Sequence, residues 1–369
     1  MDDIGLFYQR QSPSAGTHLV LRLSGKNRFI VPRNAVAQRV CWQTFLPGRV
    51  ELPLRVVAHL PRLFGAVCCI ESGKLNLIRQ SMGVESGLSC CRNGPPGPWS
   101  KDTILLLHKD TAKPVYIVKA GAGEAVDRLL RNEVAWLRTL REQPSLVDHI
   151  PEVVSAKFGT ELSFVAQHIV SGRLDLHFDK QHAEFLNKLH DYSRQTMLFE
   201  QSRLYLNLCM RLESLSGLLS STWSTRFKTG MRLLENKFCG TSIMLVAAHN
   251  DFTPWNIRVD HGIVRVFDWE YADQQQLPLF DLLHFALMPM ALRERPTSEI
   301  VRCLGQTLQK AQLWFGEELY REAQSQALAY LMNLCTLYLW ADRGDCTRHP
   351  VLVSYAHLID YSLRDLLGA

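Results

Sequence analysis

The sequence has no apolar run near the roughly eighteen residues that a membrane-spanning helix needs. It has no CxxC pair, no internal repeat and no low-complexity tract. Its first residues, MDDIGLFYQRQSPSAG, are acidic and then polar, without the basic-then-apolar layout of a secretory leader. These absences argue against a transmembrane segment, a CxxC-type metal site and a repeat array. They lead to the expectation of an ordinary globular protein in the cytoplasm. Cysteine is present, ten residues of it, but Cys68–Cys69 and Cys90–Cys91 are adjacent pairs and the rest are scattered. A chain of 369 residues with 47% hydrophobic content does not need disulfide staples, so the expectation is reduced thiols packed in the core.

Charge is low and uneven. Residues 1–80 hold 11 Lys/Arg and 4 Asp/Glu, a surplus of +7 within a whole-chain charge of +5. The basic residues stand singly among apolar ones, with no nucleic-acid motif beside them. No nucleic-acid partner is expected. A solvated basic face is the plain reading, and peripheral contact with an anionic surface is the other one open to residues 1–80.

Along the chain, residues 1–82 alternate apolar runs (HLVLRL, RFIV, LPLRVVAHLPRLF) with turn residues and read as partly strand. Residues 83–101, GVESGLSCCRNGPPGPWSK, are rich in Gly, Pro and Ser and read as loop. TILLLHKD (103–110) and PVYIVKA (114–120) read as two strands joined by a turn. EAVDRLLRNEVAWLRTLRE (124–142) reads as a helix, acidic first and basic last, with Val126, Leu130, Leu137 and Leu140 on one face. Glu133 falls in the gap of that stripe, and a carboxylate there needs a partner. ELSFVAQHIVSG (161–172) reads as a strand, and the chain beyond is mainly helical. The sum is an α+β protein with a strand-rich first lobe and a helix-rich second one. The expected division is an N-terminal extension at 1–82, an N-lobe at 83–168 and a helical C-lobe at 169–369.

One stretch, AAHNDFTPWNIRVDHGIVRVFDWEYAD (247–273), gathers His249, Asp251, Asn256, Asp268 and Glu270. NIRVD and IVRVF read as a hairpin about Asp260-His261-Gly262. Asn256 and Asp268 are then almost equidistant from the turn, with Cβ atoms on the order of 5 Å apart. An amide oxygen beside a carboxylate suits a hard cation such as Mg²⁺. Asp251, set back in the entering loop, is placed to take a proton from a hydroxyl group. Lys119, ending VYIVK, is the natural partner for Glu133 and a cation for phosphate oxygens. The loop NGPPGPWSK is placed to cover those phosphates with backbone N–H groups.

Lys119, Glu133, His249-x-Asp251, Asn256 and Asp268 occur in the order of the kinase signature set. In detail the pattern resembles the aminoglycoside phosphotransferase and choline kinase-like family. HNDFTPWN is similar to that family's HGDxxPxN, VFDWEYAD to its Asp-Trp-Glu block, and PLFDLLHF with Asp281 to its Pro-x-x-Asp-Leu segment. Asn250 stands where the family usually has Gly, Gly94-Pro95-Pro96-Gly97 replaces a glycine-rich turn, and no DFG or APE is present. The resemblance implies a two-lobed protein kinase-like fold and a phosphotransferase using ATP or GTP with Mg²⁺ on a hydroxyl of a small molecule. It implies Asp251 as base, Asn256 and Asp268 as metal ligands, and Lys119 on the α/β phosphates with Glu133 orienting it. Gly94 and Gly97 would cover the nucleotide, and Gln167-His168-Ile169 would be the hinge against the base. His249 would brace the loop, and Glu270 would lie near metal or substrate. The alternative is a nucleotide-binding pseudokinase or scaffold that docks a partner through its basic region.

Overall fold

The computed structural model describes residues 6–11, 15–22, 28–45, 68–84, 87–94, 97, 99–344 and 348–368. The run LPLRVVAHLPRLF and the three prolines of the expected phosphate loop lie outside them. The chain divides into two units, Met1–Leu174 and Asp175–Ala369.

In the first unit the elements run β1 (Tyr8–Gln11), β2 (His18–Arg22), β3 (Arg28–Pro32), α1 (Ala35–Phe45), β4 (Cys68–Glu71) and α2 (Gly73–Ser81). Next come β5 (Leu88–Arg92), β6 (Asp102–Leu107), β7 (Pro114–Gly121), α3 (Glu124–Arg141), β8 (Val153–Lys157) and β9 (Ser163–His168). All nine strands join one sheet in the order β1-β4-β2-β3-β5-β6-β7-β9-β8. A strand pair crosses the boundary expected at 82/83, because β3 bonds β5 with Ile30 opposite Cys91.

β5 corrects the expectation of a loop over 83–101. Ser89, Cys90 and Cys91 are fully buried between β3 and β6. Small, weakly polar side chains are hydrophobic enough to fill a central strand. The same placement corrects the expectation of thiols throughout. α1 packs over β3 and β5, which brings Cys41 and Cys90 to a Cα separation of 6.3 Å, joined as a disulfide. Cys69, Cys91 and Cys335 are buried thiols. The basic surplus of the extension is not all solvated either: Arg79 on α2 is buried against Glu71 and also donates to the Gly87 carbonyl at 3.0 Å.

α3 begins and ends within a residue of the expected helix, and Val126, Leu130, Leu137 and Leu140 are all fully buried. Its face packs on Val165 of β9. At about 25 cal/mol per Å² of apolar surface, such a stripe contributes several kcal/mol, more than the helix's own propensity.

The second unit has α4 (Lys180–Ser193), β10 (Gln195–Leu198), α5 (Arg203–Ser214), α6 (Ser221–Phe238) and β11 (Ser242–Ala248). It continues with the hairpin β12 (Ile257–Asp260) and β13 (Ile263–Val266), then β14 (Asp273–Gln276), α7 (Phe280–Leu292) and α8 (Thr297–Tyr320). It closes with α9 (Ala323–Ala341) and α10 (Pro350–Leu367). α4 starts on a capping box in which Asp179 accepts from Gln181 N at 3.0 Å and pairs with the His182 ring. α7 and α9 are apolar nearly all round and form the centre of the unit.

Candidate active site

In the first unit, Lys119 lies near the end of β7 and faces α3, on the strand face shared with Val165 and Gln167 of the paired β9. Its Nζ donates to Glu133 Oε1 at 2.6 Å, and Gln167 Nε2 donates to the same oxygen at 2.9 Å. Glu133 is 0% exposed and Lys119 8%. One oxygen of the carboxylate that broke the apolar stripe of α3 is thus bonded from the two strands next to it, β7 and β9. Gln167 was expected at the hinge; its side chain is committed to Glu133, so its backbone alone faces elsewhere. His168 is exposed at the end of β9, and Ile169 packs against the α1 side of the sheet. Gly94 lies where β5 turns toward β6. A Cβ there would meet the Lys101 carbonyl oxygen at 2.3 Å, so only glycine permits the turn. The Gly97 carbonyl accepts from Ser100 N at 3.0 Å.

In the second unit, β11 delivers the chain into the loop 249–256. The hairpin that follows has the expected turn: His261 and Gly262 both have positive φ, 48° and 82°, the type I′ geometry that matches strand twist. Its register pairs Ile257 with Val266, and Phe267 N donates to the Asn256 carbonyl at 3.1 Å. Asn256 therefore faces Phe267, one residue short of Asp268. Asp268 then adopts φ 74°, ψ 51°, a left-handed turn that ends the strand.

Asp251 is anchored on several sides. Asn256 Nδ2 donates to its Oδ2 at 2.7 Å and to its carbonyl at 3.0 Å. Its N–H donates to His249 Nδ1 at 3.2 Å, and His249 Nε2 in turn donates to the Phe267 carbonyl at 3.1 Å. His249 is fully buried, and burial pushes its pKa down to about 4, against the pull of the Asp251 and Asp268 carboxylates. A neutral ring with fixed donor and acceptor nitrogens ties the loop to the hairpin. Glu270 is buried in the turn Trp269–Tyr271.

Asn250 has φ 61°, the left-handed region. Asn tolerates this conformation better than any residue except Gly, which accounts for an Asn where the resembling pattern has Gly. The loop is held from below by Asp281 in the first turn of α7. Its Oδ2 accepts from His249 N at 2.7 Å and its Oδ1 from Asn250 N at 3.0 Å. Burial raises Asp281 to about 6 even with both bonds opposing the shift.

Sequence reasoning missed His284. It lies one helical turn beyond Asp281 on α7, and its Nε2 is 3.2 Å from Asp251 Oδ1. A lone histidine in the apolar run LLHFAL gives no periodic signal.

The donors fit a hard cation. Asn256 has spent its amide nitrogen on Asp251, so its remaining polar atom is an oxygen, and Asp268 adds a carboxylate. In the other unit, Lys119 is held in an ion pair with Glu133.

A strand-rich unit carrying a buried Lys–Glu pair and a helix-rich unit carrying the His-x-Asp loop make up the two-lobed, protein kinase-like fold. No family model matches the chain, and no curated protein matches it. Among solved structures, the chain is similar to the apo form of a thermostable mutant of aminoglycoside phosphotransferase APH(4)-Ia. The TM-score is 0.53 and the identity 14%, over 80% of this chain and 99% of that one. A variant of the same enzyme in ternary complex with ADP and hygromycin B matches at TM-score 0.51 and 14% identity, over 79% and 98%. A choline/ethanolamine kinase family protein from Mesorhizobium loti matches at TM-score 0.46 and 16% identity, over 76% and 88%.

Proposed function

We propose that this chain is a phosphotransferase that moves the γ-phosphoryl group of ATP or GTP to a hydroxyl group of a small molecule. The observation that carries this reading is the Asp251 carboxylate. It is fixed by Asn256 at 2.7 Å on a loop tied to the hairpin and to α7, yet its side chain keeps 28% of its surface open. As the acceptor oxygen bonds to phosphorus and the bond to the nucleoside diphosphate breaks, Asp251 takes the hydroxyl proton. Lys119, steadied by Glu133, holds the α/β phosphates. Backbone groups around Gly94 and Gly97 cover them, and the backbone of 167–169 meets the base. Asn256 and Asp268 would hold Mg²⁺, which when bound neutralises charge on the phosphate oxygens; Glu270 stands near metal or acceptor. The likeness in fold to an enzyme solved with ADP and an aminoglycoside supports the reading.

For the acceptor, the helix-rich unit has a cavity of about 360 Å³ beside the loop. Trp255, Phe178, Phe285 and Trp314 line it, Arg293 and Lys310 are its fully charged members, and no carboxylate is among the lining residues. Asp273, the acidic residue that opens β14, is already paired with Arg203 at 3.3 Å. A ring-bearing neutral or anionic alcohol suits this cavity better than a polycation. Asp251→Asn tests the base. It is expected to abolish ADP formation while Mg-ATP still raises the melting temperature. Wild-type turnover in that variant overturns the assignment, and Mg-ATP binding with no turnover across amino alcohols, sugars and aminoglycosides favours a nucleotide-binding scaffold.

A further inference from the structure

Three side chains behind Asp251 form a buried line that the reaction as described does not use. His284 Nε2 lies 3.2 Å from Asp251 Oδ1, His284 Nδ1 lies 3.1 Å from the Tyr330 hydroxyl, and the Tyr330 and Tyr355 hydroxyls are 2.9 Å apart. All three residues are buried: His284 and Tyr330 are 3% exposed and Tyr355 0%. They come from α7, α9 and α10, so a chain of hydrogen bonds across three helices ends on one carboxylate oxygen.

The direction of these bonds follows from what each group can do. An ionised carboxylate only accepts, so His284 Nε2 must carry the hydrogen. In the Nε2–H tautomer, Nδ1 is an acceptor, and Tyr330 donates to it. The Tyr330 oxygen is left to accept from Tyr355. Burial pushes both phenols well above their ordinary range, so both keep their hydrogens at neutral pH. The line has one polarity, from Tyr355 through Tyr330 and His284 to Asp251.

We infer that His284 is a positioning residue for the phosphoryl-transfer reaction, locked by Tyr330 and Tyr355 in its Nε2–H form so that it holds Asp251 Oδ1. Asn256 holds Oδ2 from the other side. With one donor on each oxygen, the carboxylate plane is fixed, and the lone pairs left over are those that meet the acceptor. An unclamped carboxylate samples other rotamers and loses the oriented encounter on which much of the rate depends. The inference rests on the reading of Asp251 as the proton acceptor. It goes beyond that reading by assigning three residues outside the signature set.

The test has two arms on the full chain. In the first, histidine-selective ¹⁵N labelling, with His284→Gln to assign the signal, reports the tautomer. A single Nε2–H form is expected, with loss of that single form in Tyr330→Phe. An Nδ1–H form, or a mixture in the wild type, overturns the inference. In the second arm, ADP release from Mg-ATP is followed with water as acceptor. His284→Ala is expected to lower kcat about 10- to 100-fold, the range for residues that orient a reacting group through one hydrogen bond, with KM for Mg-ATP unchanged within about twofold. His284→Gln, which restores an N–H donor, is expected to recover most of the loss. If His284→Ala keeps wild-type kcat, or if Gln recovers stability but no rate, the positioning role is refuted. If Asp251→Asn retains turnover, or the wild type releases no ADP with water or with any amino alcohol, sugar or aminoglycoside, the proton-acceptor reading fails, and the tautomer alone decides whether the clamp exists.

Discussion

Asp281 holds the backbone N–H groups of two consecutive residues, His249 and Asn250, on its two carboxylate oxygens. A side chain from one helix thereby fixes the conformation of a loop 31 residues earlier in the chain. Asp281→Ala leaves both N–H groups without this acceptor, that of His249 buried and that of Asn250 partly so. The expected loss is roughly 2–6 kcal/mol in urea unfolding, at about 1–3 kcal/mol per orphaned group. Asp281→Asn, which keeps one oxygen, is expected to lose about half as much. Equal losses in the two variants would show that the charge, not the pair of acceptors, matters.

Lys119 and Glu133 are a buried ion pair, and such pairs are costly to break and cheap to replace. Lys119→Met leaves Glu133 charged, with Gln167 still donating to it. A loss of about 3–5 kcal/mol is expected. Adding Glu133→Gln is expected to restore more than half of that stability and none of the nucleotide binding. Chemical denaturation of the two single variants and the double variant, with a Mg-ATP titration of each, separates the structural role from the phosphate-binding one.

Asn250 sits at φ 61° and donates its side-chain amide to the Tyr271 carbonyl at 3.0 Å. Asn250→Gly loses the bond but relaxes the backbone, so melting within a few degrees of wild type is expected, with turnover retained. Asn250→Val forces a β-branched residue into the left-handed region. It is expected to cost about 2 kcal/mol or more and to lower turnover with it.

His190 on α4 is buried, and burial lowers its pKa to about 3; its Nδ1 has no hydrogen-bond partner among the described residues. The unfolded chain takes up a proton at this residue below about 6.5 while the folded chain does not. Stability from this group is therefore complete above about 6.5 and falls as the pH drops toward about 3. His249 acts in the same direction down to about 4, and Asp281, raised to about 6, acts in the opposite one. His190→Leu removes one proton from the balance. Between pH 6 and 4, urea unfolding is expected to show its pH slope reduced by about 1.4 kcal/mol per pH unit. An unchanged slope would mean that His190 is protonated in the folded protein.

Much of this site was readable in advance because its signals are local. Glu133 stood out as a fault in the period of its own helix, and the nearest strand Lys proved to be its partner. The hairpin register followed from His261-Gly262 to within one residue. What was not readable depends on distant packing. LSCCR became a central strand because β3 and β6 flank it, and nothing within GVESGLSCCRNGPPG says so. Cys41 meets Cys90 across 49 residues of chain. His284 reaches Asp251 only because α7 is already pinned by Asp281, and its partners Tyr330 and Tyr355 lie 46 and 71 positions further on.

The seam between β3 and β5 bears on how this protein can be cut. Seen from its sequence, the region before residue 83 looks detachable, and a shortened chain would be the natural starting point for biochemistry. Yet β5, which leads into Gly94, is bonded on both sides, with Phe29 and Ile30 on one flank and residues 103–107 of β6 on the other. Removing the first three strands would bare a row of backbone donors and acceptors on a strand with a buried, apolar interior, an invitation to edge-to-edge aggregation. The smallest fragment worth expressing therefore begins at or before β1, and a failed shorter version would reflect a torn sheet rather than a missing activity.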